Sequence, residues 1–179
     1  MLLKNSFRNV YVVIRKELQN GGYMAGVSVE YINPFLMAAT HVLRDMCFIE
    51  TKVGKPSVKE IQFAGDTYSI MIGVTGEMKG QVLLGFPYEV ACDITSKMIM
   101  SPVTEMNELT NSALCELGNM ILGNAATFFS TKGIAIDITP PMLCQGSVRL
   151  STNVANICVP LLYDDTKTIE IHVSIKGDD

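Results

Sequence analysis

One stretch of the sequence, residues 111–128, constrains the fold more than any other part of the chain. It reads NSALCELGNMILGNAATF, and its apolar residues recur every three or four positions, which is the spacing of one helix face. These apolar positions are Leu114, Leu117, Ile121, Ala125 and Phe128. Polar or small residues recur on the opposite face, at Ser112, Glu116, Asn119 and Gly123. The pattern predicts an amphipathic helix that covers a core with one face and exposes the other.

The bounds of this helix follow from its flanking residues. We predict a helix over residues 105–131 with Thr104 as the N-cap. Lys132 and Gly133 provide the basic residue and the glycine that favour a helix C-terminus. A helix of this length needs a second layer to cover its apolar face.

Two glycines lie inside the predicted helix, although each costs about 1 kcal/mol relative to alanine. We interpret them as positions of close approach, Gly118 to the core and Gly123 to a partner. The exposed pair Glu116 and Asn119 lies one turn apart on the polar face. Such a pair is common on any surface helix, so by itself it does not identify a function.

The totals are typical of a globular protein with one domain. The chain has 179 residues, of which 48% are hydrophobic and 18% charged, a composition that supports a packed core. The net charge of -4 argues against nucleic acid as the main partner, because phosphate binding needs a basic surface. The apolar runs are well short of the ~20 residues that span a bilayer, and the N-terminus lacks a signal-peptide cleavage site. We therefore expect a cytoplasmic protein without membrane insertion.

Residues that usually bind metals or carry out catalysis are scarce in this sequence. The five cysteines lack the Cys-x-x-Cys spacing of a zinc site, so we predict no metal site and interpret them as small core residues. The two histidines, His41 and His172, lie near no nucleophile motif, so a Ser-His or Cys-His triad is not expected. We place His172 on the polar face of a strand. No phosphate-binding loop or His-Glu-x-x-His motif is present, so the chain lacks the motifs of a self-sufficient enzyme.

The chain divides into an appendage and one domain. Residues 1–23 end in an Asn-Gly-Gly breaker signal, so we predict an N-terminal appendage there and a single domain over residues 24–179. Asn33 precedes a proline and is the predicted N-cap of a first helix that ends near Met46.

Strand patterns surround a second helix. Residues 68–77 and 80–86 are apolar strands on either side of a glycine-bordered turn, which predicts a hairpin. Pro87 opens a second helix that ends near Met100. Further strands are predicted at 47–53, 134–138, 144–152, 155–163 and 167–175. The fold class that follows is α+β, with a largely antiparallel sheet and long helices packed on one face.

The pattern Ser112-x-x-x-Glu116-x-x-Asn119, continued by Gly123-Asn124-Ala125, resembles the signature of the CheC/CheX/FliY phosphatases of bacterial chemotaxis. The resemblance extends over most of the chain and includes the segments VEYINPFLMAAT, GQVLLGFP and ELGNMILGNA. By its length and its opening, the chain is most similar to the CheX branch. The resemblance implies a pseudo-twofold arrangement of two α-β-β units. Family members also have a proline further along the chain, and Pro140 and Pro141 fall slightly short of its usual spacing.

The resemblance implies dephosphorylation of the phosphorylated response regulator CheY. A receiver domain already holds its aspartyl phosphate, a Mg²⁺ ion and a lysine, so its helper needs no cofactor and supplies only positioning. By analogy with the family, Asn119 orients the attacking water, and Glu116 pairs with the regulator's lysine. An amide suits the first role because it both donates and accepts hydrogen bonds. Ser112 and Gly123 support the surface that binds the regulator.

The resemblance leaves one alternative function. Flagellar switch components share this kind of fold without the catalytic pair, so a non-catalytic binding module for a response regulator is the runner-up. Intact Glu116 and Asn119 favour the phosphatase, because a pure binder has no need of the amide. The target could also be a receiver domain outside chemotaxis. The resemblance further implies a homodimer formed through the sheet, and one active site per chain, because the first helix has no Glu-x-x-Asn.

Overall fold

The structure, a computed structural model, describes residues 29–177. The appendage predicted over residues 1–23 lies outside the described residues, so that prediction is not tested. A 3₁₀ turn at Val29–Tyr31 leads into helix α1 (Asn33–Cys47), and helices α2 (Tyr88–Ile99) and α3 (Glu108–Ser130) follow. The strands are β1 (Lys52–Val53), β2 (Ser57–Val58), β3 (Ile61–Phe63), β4 (Thr67–Gly76), β5 (Met78–Pro87), β6 (Ile136–Ile138), β7 (Met142–Gln145), β8 (Val148–Leu150), β9 (Ile157–Tyr163) and β10 (Lys167–Gly177).

Eight of these strands form one antiparallel sheet. Its order is β1-β9-β10-β5-β4-β6, with β2 also pairing with β9 and β7 with β4. The hairpin predicted over residues 68–86 is the β4–β5 pair, and Gly76 and Gly80 adopt positive φ angles at its turn. The last two strands, β9 and β10, form a second hairpin. The prediction of an α+β fold with a largely antiparallel sheet is confirmed.

The main core lies between the three helices and one face of the sheet. Phe35 of α1, Phe86 of β5 and Phe129 of α3 are among its fully buried side chains. Every second side chain of β10 packs into this core, as predicted for the apolar face of the strand. These side chains are Ile169, Ile171, Val173 and Ile175. Burial of this apolar area supplies most of the stability of a fold of this kind.

The opposite face of the sheet is covered as well. β3 and β8 pair with each other and form a small second sheet, and Ile61 and Phe63 pack there with Leu83 of β5. His172 is fully buried and its ring makes an edge contact with Phe63, with 5.1 Å between ring centroids. His172 thus lies on the polar face of β10, as predicted, but that face is covered here, so the side chain is buried. Alternation along a strand cannot reveal a distant segment that folds over its second face.

Two predictions for the first helix need correction. Asn33 is the first residue of α1 and not its cap, because Ile32 already has helical backbone angles and makes no side-chain cap. The strand predicted over 47–53 is reduced to the two residues of β1. α1 continues to Cys47, and Phe48 then adopts a left-handed conformation that ends the helix. A short apolar run next to a helix end is ambiguous between helix and strand.

The strand predicted over 144–152 is two strands, β7 and β8. Gly146 lies between them with φ of 100°, and the chain turns there from the main sheet to the small one. Left-handed angles of this kind favour glycine.

Candidate functional site

The sequence-predicted site residues lie together on the outer face of α3. Ser112 and Glu116 are exposed, and Asn119 and Gly123 are half-buried. The opposite face carries Leu114, Leu117, Ile121 and Ala125, each buried at 2% exposure or less. One predicted core residue differs: Phe128 is half-buried against His41, while Phe129 is fully buried.

The N-terminus of α3 is fixed by a capping box three residues after the predicted cap. Asn107 Oδ1 accepts a hydrogen bond from the backbone N–H of Thr110 at 3.1 Å, and Thr110 Oγ1 accepts one from the N–H of Asn107 at 2.7 Å. Thr104 is therefore not the cap. The backbone N–H of Val103 donates to Ser96 Oγ at 2.8 Å, which holds the preceding loop against α2. The capping box thus provides acceptors for two backbone N–H groups at the helix start, those of Asn107 and Thr110.

The middle of α3 is held closely against β4. A Cβ atom on Gly118 would lie 3.0 Å from Ile70 Cγ2 and 3.2 Å from Ile72 Cδ1. The interpretation of Gly118 as a contact with the core is thus confirmed. A Cβ on Gly123 would meet no atom within 4 Å, so there is free space beside this glycine. Close packing of one face gives the outer face a fixed position.

The side chains of Glu116 and Asn119 have no partners among the residues that the structure describes. Neither side chain makes a hydrogen bond or an ion pair with any other residue in the range 29–177. They are about 4.5 Å apart along the helix axis and differ by about 60° around it. One exposed carboxylate and one half-buried carboxamide thus lie side by side on a rigid helix. The pair can bind a cation and orient a small polar molecule on a surface that docks there.

The chain between residues 68 and 162 matches the family model described as chemotaxis phosphatase CheX. This segment is more than half of the 179 residues and contains all four predicted site residues. The protein belongs to the CheX family.

Relatives of the CheX family agree in sequence and in fold. The CheY-P phosphatase CheX of Thermotoga maritima is 30% identical over 149 residues, which cover 82% of this chain and 96% of that protein. A CheX–CheY–BeF3–Mg²⁺ complex from Borrelia burgdorferi is 32% identical with a TM-score of 0.69, covering 82% of this chain and 98% of that one. A CheC-like superfamily protein from Shewanella sp. PV-4 is 28% identical with a TM-score of 0.76, covering 84% and 100%. The chain therefore spans nearly the whole length of these proteins.

Pro140 and Pro141, whose spacing falls slightly short of that of the family's proline, lie between β6 and β7. Pro140 is exposed and Pro141 is half-buried. The carbonyl of Pro140 accepts a hydrogen bond from Thr139 Oγ1 at 3.3 Å. Within residues 29–177, no hydrogen bond links either proline to Glu116 or Asn119.

One cluster has the composition of a metal site. Cys158, Glu170 and His172 place their ligand atoms within 4.8 Å of one another. His172 Nε2 lies 3.0 Å from Glu170 Oε2, and Lys59 Nζ lies 2.8 Å from Glu170 Oε1. Asn156 Nδ2 lies 2.8 Å from His172 Nδ1.

These contacts fill the positions that a metal ion would need. Asn156 Nδ2 also donates to the carbonyl of Lys59 at 2.9 Å, so Nδ1 of His172 accepts and its Nε2–H donates to Glu170. Burial raises the pKa of the Cys158 thiol to about 12, which disfavours the thiolate that metals bind. The ammonium of Lys59 supplies the positive charge beside Glu170. The cluster is a hydrogen-bonded network on the sheet face away from α3.

Three further features of the described residues concern helix length, the cysteines and the end of α1. Within residues 29–177, no helix is long and apolar enough to cross a membrane. The five cysteines are free. The exposed end of α1 carries Arg44 and Asp45, which pair with each other at 2.9 Å, and it offers no Glu-x-x-Asn pair.

Proposed function

We propose that this protein accelerates hydrolysis of the aspartyl phosphate of phosphorylated CheY. Three findings support the proposal: membership of the CheX family, identity of 30% to a CheY-P phosphatase, and similarity to a CheX that is seen in complex with CheY. The observation that carries it is the pair Glu116 and Asn119, which has no hydrogen-bond or ion-pair partner within residues 29–177 and lies on a helix that is packed rigidly on its other face.

In this mechanism Asn119 enters the regulator's phosphorylation site. Its carboxamide oxygen accepts a hydrogen bond from a water molecule, and its N–H can donate to a neighbouring oxygen. The water is thereby held in line with the bond between phosphorus and the aspartyl oxygen, which breaks as the water attacks. Orientation of this kind supplies the rate enhancement in phosphoryl transfer. Mg²⁺ in the regulator neutralises charge on the phosphoryl oxygens.

Glu116 has a separate role in the proposal. Its carboxylate forms an ion pair with the lysine of the receiver domain, and this pair fixes the approach of α3. Ser112 and Gly123 border the pair on the same face. Gly123 has open space in place of a side chain, so the regulator's backbone can approach the helix closely. A displacement of about 1 Å in such a site can reduce the rate on the order of 10²-fold.

The free cysteines agree with a reducing compartment, and we infer that the protein acts in the cytoplasm. No metal-binding role is assigned to Glu116 or Asn119, because Mg²⁺ in this proposal belongs to the regulator.

The test is the decay of phosphorylated CheY in the presence of Mg²⁺ with the wild type, Asn119→Ala and Glu116→Ala. We expect Asn119→Ala to lower kcat about 10²-fold or more while binding of phosphorylated CheY persists. We expect Glu116→Ala to weaken binding in addition to lowering kcat. Asn124→Ala, a change at an exposed amide on another side of α3, is the control. A wild type that binds without changing the decay would be a binding module and would contradict the phosphatase proposal.

A further inference from the structure

Gly118 lies directly before Asn119 in α3 and faces the sheet. A Cβ atom at this position would lie 3.0 Å from Ile70 Cγ2 and 3.2 Å from Ile72 Cδ1. Cβ atoms rarely come this close to a neighbour, so the helix backbone lies nearer to the sheet here than a residue with a side chain allows. This close approach accounts for a glycine at a position where helix propensity disfavours one.

The strand below Gly118 has little room to move. Ile70 and Ile72 are 0% and 1% exposed, and isoleucine is stiff about its first side-chain torsion because it branches at Cβ. Their strand, β4, pairs with β5 on one side and with β6 and β7 on the other. A methyl group at position 118 would therefore displace the helix and not the strand.

Both ends of α3 are held independently of this contact. The capping box described above fixes the start of the helix. Near its end, the ring of Phe129 makes an edge contact with Phe35 of α1, with 5.2 Å between ring centroids. The contact at Gly118 therefore acts on the middle of the helix, where Glu116 and Asn119 lie.

The position of Asn119 depends more strongly on the depth of α3 than that of Glu116 does. Successive residues are about 100° apart around a helix, so Asn119 follows Gly118 on the flank of α3 and is half-buried, whereas Glu116 is exposed. The longer side chain of Glu116 can change its torsions and keep an ion pair when the backbone moves slightly. An amide that orients a reacting water has no such freedom, because the reaction requires a narrow range of geometries.

We propose that Gly118 is a positioning residue for the phosphatase reaction. By letting the middle of α3 lie close to β4, it sets the depth at which Asn119 presents its carboxamide to the attacking water. This inference rests on the proposed function. Gly118 acts only through the position of the helix, since its α-carbon faces the core and not the regulator. A side chain at position 118 would raise Asn119 by a few tenths of an ångström and leave docking nearly unchanged.

The test is the decay of phosphorylated CheY with Mg²⁺ in the presence of Gly118→Ala. A displacement of about 1 Å can cost on the order of 10²-fold, so a smaller shift should lower kcat about 5-fold. KM, and the binding of CheY activated by beryllium fluoride, should stay within about 2-fold of wild type. Ile70→Leu removes the Cγ2 atom at nearly constant volume. The double variant Gly118→Ala, Ile70→Leu should therefore recover most of the lost kcat.

Gly54→Ala is the matched control for a crowded glycine far from α3. A Cβ at Gly54 would lie 2.7 Å from Pro160 Cγ, next to β1 at the opposite edge of the sheet from β6. This variant should lose stability but change neither kcat nor KM. Urea unfolding of each variant identifies a temperature at which all of them are folded, and the kinetics are compared there.

The outcomes separate the positioning role from the proposed function. If Gly118→Ala keeps the wild-type kcat while Asn119→Ala is inactive, the positioning role is refuted and the phosphatase proposal stands. The role is also refuted if Gly54→Ala loses as much kcat as Gly118→Ala, or if Ile70→Leu restores none of it. If Asn119→Ala is as active as wild type, the proposed function fails, and this inference fails with it.

Discussion

Two glycines of α3 show how one residue type serves opposite purposes. Gly118 faces Ile70, and a Cβ there would lie 3.0 Å from Ile70 Cγ2, whereas Gly123 has no atom within 4 Å of its Cβ position. We expect Gly118→Ala to be less stable than Gly123→Ala by about 1–3 kcal/mol, because only the first overpacks the core. Urea unfolding of the two variants measures this difference directly, since both gain the same helix propensity. Equal midpoints would contradict the packing argument.

Glu170 gives the protein a defined sensitivity to acid. The hydrogen bond from His172, followed by the bond and charge of Lys59, overcomes desolvation of the carboxylate and lowers the pKa of Glu170 from 4.5 to about 2. A lowered pKa in the folded state stabilises the protein above the unfolded-state value, and this stabilisation is lost as pH falls from about 4.5 to about 2. The contribution at neutral pH is at most about 3 kcal/mol, because the carboxylate is partly exposed and solvent screens its interactions.

The measurement for Glu170 is urea unfolding of wild type and Glu170→Gln between pH 7 and pH 3. The two proteins should differ at neutral pH and converge on acidification, because the wild-type carboxylate becomes protonated. Glu60→Gln, a change at an exposed acid of the same segment as Lys59, is the control. If the free energies of unfolding of wild type and Glu170→Gln differed by the same amount at every pH, Glu170 would act through packing alone.

At the scale of elements, the start of α3 depends on Asn107. Replacing it by alanine removes the oxygen that accepts from Thr110 N–H at 3.1 Å, which should lower stability by about 1 kcal/mol. Thr104→Ala should change little, because Thr104 is exposed and does not cap the helix. Thermal or urea unfolding separates the two variants. If Thr104→Ala were less stable than Asn107→Ala, the helix would start three residues earlier than the structure has it.

At the scale of the whole molecule, the domain boundary can be tested by deletion. The predicted appendage, residues 1–23, lies outside the described residues, and the core is built from residues 32–175. We expect a chain that begins at Met24 to unfold at nearly the same urea concentration as the full chain and to dephosphorylate CheY. A large drop in the midpoint would make the N-terminal segment part of the folded domain.

The homodimer implied by the family resemblance also belongs to this scale and stays a prediction. β6 and β7 lie at one edge of the main sheet, and the two-residue strands β1 and β2 lie at the other. A sheet edge offers backbone groups for pairing with another chain. Light scattering should then give twice the 19.6 kDa of one chain. A single-chain mass at micromolar concentration would contradict it.

Local periodicity was sufficient for the parts of the fold that depend on neighbours in sequence. The side of α3 on which Glu116 and Asn119 lie follows from the helical repeat alone, and the β4–β5 hairpin follows from alternation around glycines. The α+β class follows from the order of these elements. Residue roles at the site came from the family resemblance, because an exposed acid and amide on a helix have no chemistry specific enough to identify them.

The tertiary structure alone decided features that depend on contacts between distant segments. His172 is buried because β3 and β8, about 110 and 25 residues away in sequence, fold over the second face of the sheet. α3 starts at Glu108 and not at residue 105, because Asn107 has an extended backbone and caps the helix. Ser96 of α2 accepts a hydrogen bond from the N–H of Val103 in the preceding loop. The sequence by itself determined which residues share a face, since that is a property of backbone geometry. Which faces meet, and which helix end is capped, depended on packing between elements that no local pattern records.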